Sequence, residues 1–188
     1  MSTLIMTPEF RVSWPQVFKP TVIENSGPRY RITMLFDKKT DLSAINKAIE
    51  KEIDLRWPDK KSRPSNLKTP LKDGDVEKEN IPGYKNVVFA SASNKMKPPL
   101  VDAKVQPILD ESLFYPGCYA RMQIAIYAYP KEGKIAVAKG VSFSIQAIQK
   151  TREGEHFGMA PTVPEDVFEV IANQLGADDP ANYGDMLG

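Results

Sequence analysis

Alternation of apolar and polar side chains, repeated in separate runs, is the feature that most constrains the fold of this chain. The clearest run, residues 118–129, has one apolar face and one face rich in tyrosine and polar side chains. The apolar face holds Cys118, Met122, Ile124 and Ile126, and the other face holds Tyr119, Arg121, Gln123, Tyr127 and Tyr129. A period of two is typical of a β-strand with one buried side. The run therefore predicts a strand whose second face meets water.

Four further runs predict strands along the rest of the chain. They cover residues 9–18, 30–36, 84–93 and 134–148. In the first run Phe10, Val12 and Trp14 share one face, so we expect Trp14 to be buried with the other two. Pro15 predicts an end or a bulge there, because proline cannot donate a ladder hydrogen bond. Gly140 predicts a bend or bulge inside the last run.

One segment between these runs has a helical period instead. Its apolar positions recur every three or four residues, and they are Leu42, Ile45, Ile49, Ile53 and Trp57. Thr40 or Asp41 can cap the start of a helix, and Pro58 ends the pattern. Trp57 closes the apolar stripe, so we expect a structural role for it, as we do for Cys118 on the buried face of its strand.

The order of the segments decides between fold classes. Residues 58–83 contain four prolines and no sustained period, which predicts a long loop that is basic at its start. Five strands with one helix inserted after the second favour a small mixed-topology barrel, because a doubly wound sheet needs helices that alternate with strands. The sequence therefore predicts a mostly β domain over residues 1–152.

Charge is divided unevenly along the chain. Residues 153–188 hold eight acidic side chains and no lysine or arginine, so the net charge of +1 for the whole chain leaves +9 for residues 1–152. A basic body beside an acidic segment is typical of a polyanion-binding domain with a tail that competes for the same surface or docks a basic partner. The alternative is that the acids only keep this segment solvated. We expect the segment to be partly disordered, with a short helix at 165–175.

The inventory of reactive side chains excludes most enzyme chemistry. With one cysteine, Cys118, and one histidine, His156, the chain cannot form an internal disulfide or a cysteine zinc cluster, and little is left for a histidine-dependent triad. Asp73 and Asp75 around Gly74 come nearest to a magnesium site, but a turn is the simpler interpretation. We predict no catalytic residue, no metal and no cofactor. No run approaches the ~18 apolar residues of a membrane span and no secretory signal is evident, so we expect a cytoplasmic protein without a membrane partner.

Aromatic rings beside cations on an exposed sheet are suited to single-stranded nucleic acid. Any base can stack on a ring, and phosphates pair with cationic side chains. Lys95 and Lys97 precede a rigid diproline that can hold them against a nucleic-acid backbone. The residues that we predict to contact nucleic acid are Arg11, Arg29, Arg31, Lys60, Lys61, Arg63, Lys72, Lys95, Lys97, Tyr119, Arg121, Tyr127 and Tyr129. The alternative interpretation of the tyrosines is packing between neighbouring strands.

Several motifs, in their order and spacing, are similar to those of a known family. They are Arg11-Val12-Ser13-Trp14-Pro15, Pro70-Leu71-Lys72-Asp73-Gly74-Asp75, the segment 90–99, Tyr115-Pro116-Gly117-Cys118-Tyr119 and Ile145-Gln146-Ala147-Ile148-Gln149-Lys150. Together they resemble tailed-phage single-stranded DNA-binding proteins over nearly the whole chain. This resemblance implies an OB-fold that covers single strands during phage DNA replication, recombination and repair, in the cytoplasm of the host cell.

The resemblance also implies a role for the acidic end. In related phage proteins such a tail is available to replication partners and ends in an aromatic residue. Here Asp185 is followed by Met186-Leu187-Gly188, and Tyr183 is the nearest ring. The residues predicted to dock phage or host replication proteins are Asp178, Asp179, Tyr183 and Asp185. Two other classes stay open, an RNA-binding barrel and a phage structural or scaffolding protein.

Overall fold

The chain divides into two compact units, Met1–Gly158 and Met159–Gly188. The computed structural model describes residues 3–22, 27–130 and 138–157, all of which belong to the first unit. The predicted helix at 165–175 and the four docking residues of the acidic tail lie outside these ranges. Within the described ranges, no helix has both the length and the apolar character that crossing a bilayer requires.

Strands dominate the first unit, as the sequence predicts. The helices are α1 (Ser43–Arg56) and α2 (Gly74–Glu77), with a single 3-10 turn at Glu111–Leu113. The strands are β1 (Thr3–Met6), β2 (Phe10–Val22), β3 (Pro28–Asp37), β4 (Lys72–Asp73), β5 (Val87–Asn94), β6 (Leu100–Val101), β7 (Tyr119–Tyr129) and β8 (Gly140–Arg152). The five predicted strands correspond to β2, β3, β5, β7 and β8, and the short β1, β4 and β6 are additions.

Five strands close into a ring. Strand β7 pairs with β2, β2 with β3, β3 with β5, β5 with β8, and β8 returns to β7. Every pair in the ring is antiparallel except β5 and β8, which run parallel. This arrangement, with α1 inserted after the second strand of the ring, is an OB-fold-like barrel and confirms the predicted fold class.

The barrel interior is filled by alternate residues of the ring strands. The fully buried large side chains of these strands are Phe10, Phe36, Phe143, Ile32, Met34, Met122, Ile124, Ile126, Ile145 and Ile148, and they are joined by Ile45 of α1 and by Phe114, which follows the 3-10 turn. The apolar face predicted for β7 is confirmed, and Cys118 beside it is buried as predicted. Burial of side chains of this size contributes about 1.5–3 kcal/mol each. The core thus fixes the direction in which the intervening side chains of each strand point.

Helix α1 confirms the helical prediction. It buries Ile45, Ala48 and Ile49, which are successive members of its apolar face. Its start is fixed by Asp41, whose carboxylate accepts a 2.9 Å hydrogen bond from the Ser43 backbone N–H. Trp57 lies at the other end, half-buried, with the Arg56 guanidinium 5.6 Å from its ring centroid.

The prediction that Trp14 is buried is wrong. The register between β2 and β3 shifts between Ser13 and Gln16, so a bulge falls at Trp14 and Pro15. A bulge inserts an extra residue and interrupts the alternation of side chains. Trp14 adopts a left-handed φ of 48° and leaves 67% of its surface exposed. Pro15 therefore marks a bulge and not an end, and β2 continues to Val22.

Gly140 does not lie inside its strand, where a bend or bulge is predicted for it. It is the first residue of β8, and a Cβ at this position would overlap the backbone oxygen of Lys68. The Lys68 N–H donates to Lys139 O at 2.9 Å, and the Val141 N–H donates to Lys68 O at 2.9 Å. The absence of a side chain thus lets the long loop after α1 dock beside the start of β8.

The segment that follows β8 is fastened to the barrel, and we call residues 153–157 the strap. Arg11 donates to the backbone oxygen of Glu155 at 2.7 Å. The Tyr115 hydroxyl donates to Glu153 Oε2 at 2.6 Å, and the Phe157 N–H donates to Pro116 O at 3.0 Å. The compact unit therefore extends past residue 152, where the sequence placed the division between body and acidic segment.

Candidate nucleic-acid interface

The outer face of β3 and β5 is covered at one end. Leu35 and Phe89 are adjacent across the two strands, and both lie under Tyr84, whose ring centroid is 5.2 Å from that of Phe89. The Tyr84 hydroxyl shares a 3.2 Å hydrogen bond with Ser13 on β2. Phe157 of the strap packs against the same cluster. Tyr84 and Phe157 thus cover Leu35 and Phe89 at this end of the face.

The other end of the same face is open and forms a cleft of about 360 Å³, which we call the β3–β5 cleft. It is lined by Trp14, Gln16, Arg31, Ile32, Thr33, Ser91, Ala92, Ser93 and Ser142. The lining residues come from β2, β3, β5 and β8, so the cleft exists only when these four strands are assembled side by side. The outer face of the second and third ring strands is where OB-folds bind oligonucleotides and oligosaccharides.

Small hydroxyl side chains form the floor of the β3–β5 cleft. Thr33 on β3 lies opposite Ser91 on β5, and their hydroxyls share a 3.0 Å hydrogen bond. Two residues before Thr33, on the same face of β3, Arg31 lies opposite Ser93. Short side chains leave space above the strands and offer hydrogen-bonding groups to a polar ligand.

Two predicted arginines supply positive charge to this end of the face. Arg31 is half-buried and lines the cleft itself. Arg29 lies two residues before Arg31 on β3, and its Nε donates to Ser93 Oγ at 3.1 Å. Guanidinium groups bind phosphate through planar, bidentate hydrogen bonds. The cleft is thus suited to an anionic strand.

The turn after β5 brings further predicted cations near this end. Lys95 and Lys97 are exposed, and Lys97 Nζ lies 5.9 Å from the ring centroid of Phe18 on β2. The turn is held by Asn94, which donates to Ile145 O at 2.6 Å and accepts from the Met96 N–H at 3.1 Å. Two lysines therefore stand on an anchored turn at the end of a strand that lines the cleft.

Two of the predicted tyrosines lie on the outer face of the neighbouring hairpin. Tyr127 pairs with Ser142, which also lines the β3–β5 cleft, and Tyr129 pairs with Gly140. Both rings are half-buried. Burial raises the pKa of Tyr129, and the nearby Tyr127 raises it further. The two tyrosines therefore form a surface that adjoins the cleft across β8.

The other predicted members of the β7 face lie away from the cleft. One face of the Tyr119 ring is covered by Arg152, whose guanidinium carbon is 3.4 Å from the ring centroid. Arg121 Nε donates to Gln149 Oε1 at 2.8 Å. Arg152 is itself held by Glu9, which accepts hydrogen bonds from its Nε at 3.0 Å and its Nη2 at 2.9 Å.

The remaining predicted cations are scattered over other parts of the surface. Arg11 donates to Gly117 O at 3.2 Å as well as to the strap. Arg63 closes the end of α1 by donating to Trp57 O at 3.0 Å and to Asp54 Oδ1 at 2.7 Å. The exposed members of this group are Lys60, Lys61 and Lys72. A part in DNA binding stays a prediction for every member of the set.

Sequence reasoning missed the residues that shape the β3–β5 cleft. They are Trp14, Gln16, Thr33, Ser91, Ser93 and Ser142. Serine and threonine on a strand surface carry no distinguishing signal, because only the pairing of β3, β5 and β8 brings them together. Trp14 did carry one, since a tryptophan directly before a proline inside a strand run marks a place where the alternation can break.

The acidic turn that came nearest to a magnesium site holds a lysine instead. Lys38 Nζ lies 2.9 Å from Asp73 and 2.6 Å from Asp75, and its hydrogen bonds are the largest cause that lowers the pKa of both carboxyls. Asp73 also accepts from the Asp75 N–H at the start of α2. Across residues 3–22, 27–130 and 138–157, no group of three or more histidine, cysteine or acidic side chains is placed to hold a metal.

Comparison with solved structures gives the same fold. The protein is similar to the single-stranded DNA-binding protein from bacteriophage Enc34 in complex with ssDNA, with a TM-score of 0.67, 24% identity, and coverage of 82% of this chain and 89% of that chain. It is also similar to gp2.5, a single-stranded DNA binding protein encoded by bacteriophage T7, with a TM-score of 0.59, 12% identity, and coverage of 92% and 98%. At these identities the likeness supports the architecture alone.

Sequence comparison reaches further than the fold. The chain is 32% identical over 158 residues to putative protein p50 of Acyrthosiphon pisum secondary endosymbiont phage 1, which covers 78% of this chain and 82% of the relative. The model of one family, described as Enterobacter phage Enc34, ssDNA-binding protein, matches residues 3–179. That match takes in the whole barrel and most of the acidic segment. The chain therefore belongs to the Enc34-type phage ssDNA-binding protein family.

Proposed function

We propose that this protein binds single-stranded DNA without sequence preference, with the β3–β5 cleft as the centre of the binding surface. The observation that carries the proposal is the open end of the β3–β5 face, where Arg29 and Arg31 stand over a floor of hydroxyl side chains. Membership of a family named for ssDNA binding supports the same ligand.

The chemistry of the cleft favours the backbone of the strand over its sequence. Guanidinium groups attract phosphates of any nucleotide, and serine and threonine hydroxyls both donate and accept hydrogen bonds, so they tolerate every base. The net charge of +9 on residues 1–152 adds an attraction that acts over about 10 Å at moderate salt. Binding of this kind is independent of sequence and sensitive to salt.

A gel-shift or anisotropy titration with about 30 nucleotides of oligothymidine tests the proposal, because OB domains occupy roughly 4–16 nucleotides each. We expect binding at about 50 mM salt that weakens at about 200 mM, with a log–log slope of about −0.7 per neutralised phosphate. No detectable binding at the lower salt would refute the function. Oligouridine and duplex DNA in parallel separate this proposal from an RNA-binding barrel, and failure with every nucleic acid would favour a structural phage protein.

We further propose that the protein coats and protects single strands during phage DNA replication, recombination and repair in the cytoplasm of the infected host cell. A coating protein must accept any sequence, which is the property that the cleft chemistry favours. The test is phage DNA synthesis in cells infected with a phage that carries Arg31→Gln. Reduced synthesis is expected, and normal synthesis despite lost DNA binding would separate the binding activity from this role.

The acidic residues after the strap are proposed to compete with DNA for the basic surface and to dock replication proteins of phage or host. The support is charge, since residues 158–188 carry six acids and no lysine or arginine. A tethered segment has an effective concentration in the millimolar range, so even a weak contact lowers the apparent affinity for DNA. Chains that end before Gly176 should bind oligothymidine more tightly below about 50 mM salt. Equal affinity would leave the acids with a solvating or docking role only.

A further inference from the structure

Trp14 is an unusual side chain for the surface on which it lies. It is the one aromatic among the large apolar side chains that stay exposed in the described part of the chain. Aromatic side chains can bury a large apolar area. Because Trp14 is 67% exposed, most of that area does not contribute to the stability of the fold. The core beside the bulge is already filled, because Val12 and Val17 on either side of it are buried.

The backbone at Trp14 adds a second cost. Its φ of 48° is in the left-handed region, which disfavours residues with a Cβ by roughly 1–2 kcal/mol. A bulky residue in this region is a true outlier, and such outliers cluster at ligand-binding sites. The barrel therefore holds a strained conformation whose visible result is that the indole is turned out of the core.

The place to which the bulge turns the indole is the β3–β5 cleft. Trp14 lines the cleft together with Arg31, Thr33 and Ser91. The small side chains of the floor leave room beside the ring, and the guanidinium on the same cleft provides a partner for a phosphate. An aromatic face beside a cation is the arrangement in which a base stacks while its backbone is neutralised.

We propose that Trp14 is a stacking platform for a nucleobase of bound single-stranded DNA, and that the β2 bulge exists to present it. The inference rests on the proposed function and adds a residue of the cleft that contacts a base and not a phosphate. A strand without bases keeps the backbone contacts but cannot use the platform. A duplex keeps its bases stacked on one another, so the platform also favours single strands.

The test uses full-length protein with Trp57→Phe, which leaves Trp14 as the single tryptophan. Titration with about 30 nucleotides of oligothymidine should quench the fluorescence of Trp14 to a saturating end point. The same titration on Trp14→Phe, where Trp57 reports alone, is the matched control and should give little change. Trp57 lies at the end of α1 and is absent from the cleft lining.

Affinity measurements give the second readout. Trp14→Ala should weaken binding to oligothymidine by about 5- to 150-fold, the range for one stacked base, and leave the salt slope unchanged because no phosphate contact is lost. Binding to an abasic strand of equal length should be the same for Trp14→Ala and the parent. Trp14→Phe should retain part of the affinity for oligothymidine, since a smaller ring still stacks.

The outcomes separate this inference from the proposed function. If the parent binds oligothymidine but Trp14→Ala binds equally well, the stacking role is wrong and DNA binding stands. If Trp14→Ala loses oligothymidine and abasic strand to the same degree, the substitution disturbs the cleft as a whole and stacking is again refuted. If the parent binds no single strand, the proposed function itself fails. Circular dichroism on each variant excludes unfolding as the cause of a loss.

Discussion

The guanidinium carbon of Arg152 lies 3.4 Å from the ring centroid of Tyr119. The same guanidinium donates two hydrogen bonds to Glu9, so it is fixed over the ring. The edge of the Tyr119 ring also approaches Gly154 of the strap so closely that a Cβ there would lie 2.8 Å from Tyr119 Cε2. Tyr119 is thus part of the packing that joins β7, β8 and the strap.

This packing predicts a difference among the three tyrosines of β7. Tyr127→Ala or Tyr129→Ala should weaken binding to oligothymidine by about 1–3 kcal/mol if its ring stacks on a base. Tyr119→Ala should leave affinity nearly unchanged and lower the thermal midpoint, because Arg152 engages one face of its ring and the strap packs against the ring edge. Anisotropy titrations and thermal melts of the three variants check this. Loss of affinity in Tyr119→Ala alone would reverse the assignment.

The cations near the cleft should be separable from the rings by salt dependence. Arg31→Gln, Lys95→Ala and Lys97→Ala should each reduce the magnitude of the log–log salt slope by about 0.7 if each neutralises one phosphate. Lys51→Ala is the matched control, because Lys51 is exposed on α1. Oligothymidine titrations at four salt concentrations measure the slopes. An equal reduction in the control would mean that only overall charge matters.

The left-handed backbone at Trp14 predicts that its glycine and alanine variants differ in stability. Trp14→Gly should be more stable than Trp14→Ala by roughly 1 kcal/mol, because glycine adopts a left-handed φ without the penalty that a Cβ brings. Both variants should bind oligothymidine weakly. Urea unfolding of the two proteins gives the difference. Equal stability would show that the bulge relaxes when the indole is removed.

Cys118 predicts a pH dependence. Burial raises the pKa of its thiol above the ordinary value, so the unfolded chain gives up this proton at lower pH than the folded chain. The contribution of the protonated, buried thiol to the free energy of unfolding is complete below the unfolded pKa of about 8.5. It is lost as the pH rises through the higher pKa of the folded state. Urea unfolding from pH 7 to pH 10 should therefore show a steeper loss of stability in the parent than in Cys118→Ala.

The same residue gives a chemical control for that measurement. A thiol reagent acts on the thiolate, and a buried thiol with a raised pKa supplies little of it. Labelling of native protein at pH 8 should be slow and should become rapid in denaturant. Rapid labelling of the native protein would contradict the placement of Cys118 in the core.

The strap predicts different results for two truncations. A chain that ends after Gly158 keeps the whole compact unit and should unfold at the same urea concentration as the full chain. A chain that ends after Arg152 loses the Glu155 carbonyl, one of the two that accept from Arg11, and the contact of Phe157 with the Tyr84 cluster. We expect it to be less stable by about 2–4 kcal/mol, from hydrogen bonds of about 1 kcal/mol each and apolar burial.

A point variant makes the truncation test sharper. Phe157→Ala in the full chain removes the apolar contact of the strap and leaves its backbone hydrogen bonds in place. Its loss of stability should be smaller than that of the chain ending after Arg152. If the shorter chain is as stable as the full one, the strap adds nothing to the barrel.

Much of the barrel could be predicted because its strands carry their pattern locally. The run that begins at Cys118 places Met122, Ile124 and Ile126 on the same face, and all four predicted core members are buried. The helix followed from five apolar positions with one period. Trp14 could not be placed in the same way, because the bulge depends on how β2 registers against β3. Periodicity is a property of one strand, whereas a bulge is a property of the pairing between two strands.

The candidate site was harder to predict than the fold for a related reason. The sequence does not show whether an arginine side chain will donate its hydrogen bonds to backbone carbonyls of the folded chain. The two carbonyls that bind Arg11 belong to residues 106 and 144 positions further along the chain, whereas Arg29 and Arg31 reach the open end of the face. Only the closed ring distinguishes cations that fasten the chain from cations left near a ligand surface.

The pairing of β2 with β7 also sets when the barrel can form. Phe10 meets Ala120, and Arg11 meets Tyr119, so the ring cannot close before most of the first unit has left the ribosome. Contacts between residues so distant in sequence make folding slow, typically milliseconds to seconds for β-barrels of this kind. Until then the edges of β2 and β7 stay unpaired and prone to join other chains. The cleft draws on β2, β3, β5 and β8, so it forms only after Ser142 of β8 has been synthesised.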